Sequence, residues 1–118
     1  MTAVLDFEAA NNATWLYSPI LLLDDADVPL ALPFDAKVEM QLRSPASSND
    51  VALLLSLENG FIKYIDSQAS TVRIEVPVTT MRDIPAGTYE HDIIVSYSTG
   101  LVVRSIAGNV NILQGVTR

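Results

Sequence analysis

Between Ala36 and Arg43 the chain alternates without a break. Ala36, Val38, Met40 and Leu42 point one way, and Lys37, Glu39, Gln41 and Arg43 point the other. Successive side chains of a strand leave opposite faces, so this period of two specifies a half-buried β-strand. The pattern recurs along the chain. Ala3–Glu8 places Ala3, Leu5 and Phe7 opposite Asp6 and Glu8, and Thr71–Val78 places Val72, Ile74 and Val76 opposite Arg73 and Glu75. In Thr88–Ser98, Tyr89, His91, Ile93, Val95 and Tyr97 share a face. Trp15–Leu23 is apolar on both faces, as a buried strand would be, and Pro19 predicts an edge or a bulge within it. Asn59-Gly60 predicts a tight hairpin joining Val51–Leu57 to Phe61–Asp66, because both turn residues accept positive φ. In Leu101–Leu113, Arg104 falls on the face of Val102, Ile106, Val110 and Ile112, which predicts a bulge or a mixed environment. Only Thr79–Ile84 reads as helical, as one turn with a threonine N-cap. Short strands separated by turn signals, with no long amphipathic helix, predict an all-β sandwich or barrel.

With 118 residues, the sequence predicts one domain spanning 1–118. A hydrophobic fraction of 49% against 18% charged excludes a disordered chain. The absence of cysteine excludes disulfides, thiolate zinc sites and a cysteine nucleophile. The net charge of −7 argues against nucleic acid, which binds through lysine and arginine. That charge is concentrated. Nine acids and two bases lie in residues 1–58, whereas residues 59–118 hold five of each. No apolar run approaches the roughly 20 residues of a spanning helix, and the N-terminus lacks a basic, then apolar, export pattern. No membrane association is expected.

The residues that could carry chemistry are few. His91 is the sole imidazole. Glu90 and Asp92 leave the opposite strand face and cannot orient it, so packing in the core or at an interface is its expected role. Asp24, Asp25 and Asp27 form an acidic loop without the glycine and distal glutamate of a calcium-binding hand. No metal, cofactor or enzymatic activity is therefore expected. Asn12-Ala13-Thr14 matches a glycosylation sequon, read as incidental without a leader. Trp15, Tyr17, Tyr64 and Tyr97 could build a sugar-stacking platform, but packing is the plainer role.

Ile84-Pro85-Ala86-Gly87-Thr88-Tyr89 resembles the entry to the penultimate strand of immunoglobulin-like domains, where a tyrosine hydroxyl bonds back to the corner. Pro85, Gly87 and Tyr89 would define that corner. Antibody domains carry cysteine two residues later, where this chain has His91. The implied fold is an antiparallel immunoglobulin-like sandwich of about seven to nine strands.

A longer resemblance covers most of the chain. Trp15 precedes an acidic loop and a Pro-hydrophobic-x-Leu step (Asp24–Leu32), then a strand ending in arginine (Ala36–Arg43). Val51–Ile65 supplies a leucine-rich strand, a glycine turn and an isoleucine strand, and Pro85–Asp92 reads PAGTYEHD. Gly100–Val110 and Val116-Thr117-Arg118 close the series. In order and spacing these segments resemble a family of small bacteriophage virion proteins related to the immunoglobulin-like domain of phage baseplate upper proteins. Leu32-Pro33-Phe34 replaces a Leu-Thr-Gly step, and His91 replaces an aromatic, which leaves the subfamily open. The resemblance implies a structural tail-end or baseplate adaptor, made in the host cytoplasm and resident in the virion. Its partners would be other virion structural proteins, contacted in several symmetric copies. Asp24, Asp25, Asp27, Arg118 and open strand edges are the expected interface. Alternatives are a glycan- or receptor-binding module, or a capsid decoration or head fibre domain.

Overall fold

In the computed structural model, which describes residues 3–45, 47–65 and 70–117, strands dominate and fall into two sheets. The chain order is β1 (Ala3–Val4), β2 (Phe7–Ala10), β3 (Trp15–Leu21), β4 (Lys37–Arg43), β5 (Leu53–Ser56), β6 (Ile62–Tyr64), β7 (Thr71–Val76), α1 (Val78–Met81), β8 (Gly87–Ser96) and β9 (Val102–Leu113). The larger sheet runs β1-β9-β8-β4-β5, with β2 also on β9, and the smaller runs β3-β7-β6. β3, β7 and β6 thus take the places of immunoglobulin strands B, E and D, while β4, β8 and β9 take those of C, F and G. The protein is an all-β, immunoglobulin-like sandwich. Its first two strands pair parallel to β9, so the larger sheet is mixed rather than wholly antiparallel.

The alternation of β4 is realised: Val38, Met40 and Leu42 are buried, and the residues between them are not. Ile74 and Val76 of β7, and Tyr89, Ile93 and Val95 of β8, are buried with them in one cluster between the sheets. Each large aliphatic side chain so placed contributes about 1.5–3 kcal/mol. Phe7 of β2 is buried between the sheets. Its ring lies 5.1 Å from His91 on β8, and 5.7 Å and 4.9 Å from Trp15 and Tyr17 on β3, so aromatic packing ties the sheets together.

A bulge occurs at both places where the sequence allowed one, with the pairing register shifting between Tyr17 and Ile20 around Pro19, and opposite Ile93/Ile94. The second inserts Ser105, which turns inward while Arg104 turns out. The Ser105 hydroxyl then accepts from the Leu23 amide at 2.9 Å and donates to the Leu23 carbonyl at 2.8 Å, joining the end of β3 to the other sheet.

Three expectations fail locally. β3 is not buried on both faces: it is an edge strand, with Leu16 65% exposed. Asn59-Gly60 does not close a hairpin, because β5 and β6 belong to different sheets. Asn59 instead folds back on β5, accepting from the Ser56 amide at 3.0 Å and donating to the Leu54 carbonyl at 2.9 Å. The helical turn is capped by Pro77, and Thr79 lies inside it. Proline suits that end because a helix start leaves its amides unpaired in any case. Asp66, the expected end of the Phe61–Asp66 strand, lies outside the described residues.

Candidate protein-interaction surface

Immunoglobulin topology sends the β3–β4, β6–β7 and β8–β9 connections to one end of the sandwich. They touch there. The Leu22 amide donates to the Ser70 carbonyl at 2.9 Å, and the Tyr97 hydroxyl to the Ala31 carbonyl at 2.7 Å. Burial, then the nearby charge of Asp24, raises the Tyr97 phenol above its ordinary pKa.

The acidic loop sits at this end, and its three aspartates do different work. Asp24 builds the loop: its Oδ1 accepts from the Ala26 amide at 2.8 Å and the Val28 amide at 3.0 Å. Its backbone amide also donates to the Val28 carbonyl at 2.9 Å. This aspartate turn is favoured because a short carboxylate reaches amides two residues on. Asp27 takes the left-handed φ of 61° that closes the turn. Asp25 and Asp27 are exposed, as is Val28 beside them. The structure therefore brings the aspartates together but leaves only Asp25 and Asp27 facing outward. Arg118, the fourth expected contact, lies outside the described residues.

Large apolar side chains are exposed near these loops. Phe34 is 98% exposed and Leu101 58%. The sequence marked Phe34 only as a departure from a family step; its position between Pro33 and Asp35 in an irregular connection was the available signal.

Strand edges are less open than the sequence suggests. Pro19 and its bulge interrupt β3, the Asn59 side chain covers β5, and β6 has three residues, one of them Lys63. The β1–β2 edge breaks at Leu5-Asp6, where the Leu5 carbonyl meets His91 and Asp6 Oδ1 accepts from the Asn109 amide at 2.8 Å. Proline, charge, bulges and short length all discourage strand addition by another chain.

His91 is 5% exposed. Its Nε2 lies 2.7 Å from the Leu5 carbonyl, which can only accept, so Nε2 carries the proton. Nδ1 is buried without a hydrogen-bond partner among the described residues. Burial lowers the His91 pKa; the Leu5 bond, Asp92 and Asp6 oppose that shift, and Arg104 adds to it. Gly108, paired with His91 across β8 and β9, permits the close approach, because a Cβ there would strike the Leu5 carbonyl oxygen. The imidazole thus fastens the first strand segment to the sheet.

At the opposite end the Tyr89 hydroxyl donates to the Pro85 carbonyl at 2.6 Å, the back-bond of an immunoglobulin corner. Gly87, at the start of β8, has φ 151°, a value L side chains rarely adopt. The four aromatics considered for a sugar platform are dispersed: Trp15 is buried, Tyr17 packs on Phe7, Tyr97 is tied to Ala31, and Tyr64 lies at the end of β6. No group of three or more metal-ligating side chains occurs among the described residues, and no described helix is long and apolar enough to cross a membrane.

No family model and no curated protein matches the chain. Among solved structures it is similar to CopC from Methylosinus trichosporium OB3b, at 10% identity and TM-score 0.40, over 89% of this chain and 98% of that one. It is also similar to a family 123 glycoside hydrolase from Clostridium perfringens, at 13% identity and TM-score 0.39, over 98% of this chain and 24% of the hydrolase. Likeness at this level says nothing about what the chain binds.

Proposed function

We propose that the protein is a structural component of a bacteriophage particle, an adaptor at the tail end or baseplate that joins larger virion proteins in several symmetric copies. The observation that carries this reading is the ordered series of segments from Trp15 to Arg118, with Pro85–Asp92 as its most specific part. The fold is compatible with it: a rigid sandwich holds its loops in fixed positions, and symmetric copies then repeat the same contact. Guarded strand edges favour docking through side chains at the loop end, where Asp25, Asp27 and Val28 are exposed. An acidic loop on a chain of net charge −7 selects basic partner surfaces and repels copies of itself.

The test is quantitative mass spectrometry of purified particles, followed by imaging of their tail ends. A fixed multiple copy number is expected, and absence from particles overturns the reading. Asp25→Lys with Asp27→Asn, which spares the Asp24 turn and keeps at 27 a residue that tolerates the left-handed φ, is expected to lower incorporation by about tenfold. Normal incorporation would remove the loop from the interface.

A further inference from the structure

A second surface lies beside the loop end, at the seam between the sheets. Phe34 and Asp35 close the β3–β4 connection, Lys37 and Glu39 leave the outer side of β4, Glu58 follows β5, and Tyr64 ends β6; together they line one groove. Tyr64 is 39% exposed and Phe34 is almost wholly so, which gives the groove two accessible rings. Three carboxylates and one ammonium surround them. The Tyr64 phenol is raised above its ordinary pKa by burial and, after that, by the charge of Asp35, so ring and carboxylate share one electrostatic environment.

A fully exposed phenylalanine gains nothing for folding, and water disfavours it. It is stabilised when a partner covers it. The groove's chemistry specifies which kind of partner. Ring faces carry negative charge in their quadrupole and attract cations, and the excess of carboxylates acts in the same sense. Arginine suits both features better than lysine, because its flat guanidinium stacks on a ring, is weakly hydrated, and pairs with a carboxylate through two parallel bonds. We infer that the groove between Phe34 and Tyr64 receives an arginine side chain from an extended segment of a partner protein, held between the rings and the carboxylates of Asp35, Glu39 and Glu58. The inference goes beyond the virion reading and stands without it, since it concerns the groove's ligand and not the partner's origin.

The test uses the purified full chain and the peptide acetyl-(Gly-Arg)3-amide, with citrulline in place of arginine as the neutral isostere. Ring proton resonances of Phe34 and Tyr64 are followed by NMR during titration. The arginine peptide is expected to shift both rings saturably, and the citrulline peptide to bind about tenfold more weakly. Phe34→Ala is expected to weaken the arginine peptide about three- to fivefold, and Glu58→Gln about twofold. Equal binding of the citrulline peptide overturns the inference. So does the absence of any shift, a shift confined to the Asp24–Asp27 loop, or undiminished binding by Phe34→Ala. Particle composition decides the virion reading separately, so either can fail alone.

Discussion

Both ends of the sandwich satisfy polar groups by bonds across long sequence separations, but they differ in how much apolar surface they leave exposed. At the corner end the chain bonds to itself across long sequence separations. Buried Asn11 donates to the Ile84 carbonyl at 3.1 Å and accepts from the Gly115 amide at 2.8 Å, while Asn12 donates to the Thr117 carbonyl at 2.8 Å. Tyr89 adds its bond to Pro85. At the loop end the corresponding bonds hold the loops in shape, but Phe34, Val28 and Leu101 remain uncovered. Among the described residues, the corner end leaves one large apolar side chain exposed, Val116, whereas the loop end presents three. The difference separates residues that secure the fold from residues free to recognise something else.

The largest expected effect tests the corner end. Asn11→Ala leaves the Ile84 carbonyl and the Gly115 amide without their buried partner, and is expected to cost about 2–3 kcal/mol. Gly115→Ala should also destabilise, because a Cβ there collides with the Asn12 side chain. Chemical denaturation reads both, and an unchanged midpoint for Asn11→Ala would show that this end is not knitted as described.

The pH dependence is the next effect. The unfolded imidazole takes up its proton near pH 6.5, whereas burial holds the folded one below that. The unfolded state therefore binds more protons in that window. Stability is fully present above pH 6.5 and falls as pH drops toward the folded value, by at most about 1.4 kcal/mol per pH unit for one proton. His91→Phe is expected to flatten the slope between pH 7 and 5, where carboxylates are mostly ionised. An identical slope in the variant would assign the dependence to other groups.

Tyr89→Phe removes one hydroxyl and keeps the ring, so the loss is expected to be about 1 kcal/mol, read as a shift in denaturation midpoint. No loss would mean that the Pro85 carbonyl is equally well served by water.

Much of this architecture is legible in the residues, and the boundary of legibility is physical. Alternation in β4, β7 and β8 fixes which side chains face the core, because the period of a strand is invariant under tertiary context. Pro19 and the Arg104 parity conflict announce bulges for the same reason. Asn59-Gly60 misleads because its turn preference is local, while the partner of β5 is decided by distant packing on β4. Leu16 misleads because apolar residues on both faces describe a buried strand and an exposed edge equally well. The loop end was half legible: three aspartates mark it, but no pattern says that Asp24 is consumed by its own turn. Phe34 carries no periodic signal at all, since it belongs to an irregular segment whose exposure depends on the surrounding chain.

Phe34→Ser should therefore change stability least. The native ring is almost wholly solvated, so removing it forfeits little buried area, and surface changes of this kind stay within about 0.5 kcal/mol. Replacing an exposed apolar ring with a hydroxyl also reduces the tendency of the free protein to self-associate. The expected result is an unchanged denaturation midpoint together with lower light scattering at high protein concentration. A large loss of stability would mean that Phe34 is covered by its own chain in solution. The loop end would then lose its most exposed apolar side chain, and its contrast with the corner end would shrink to Val28 and Leu101 against Val116.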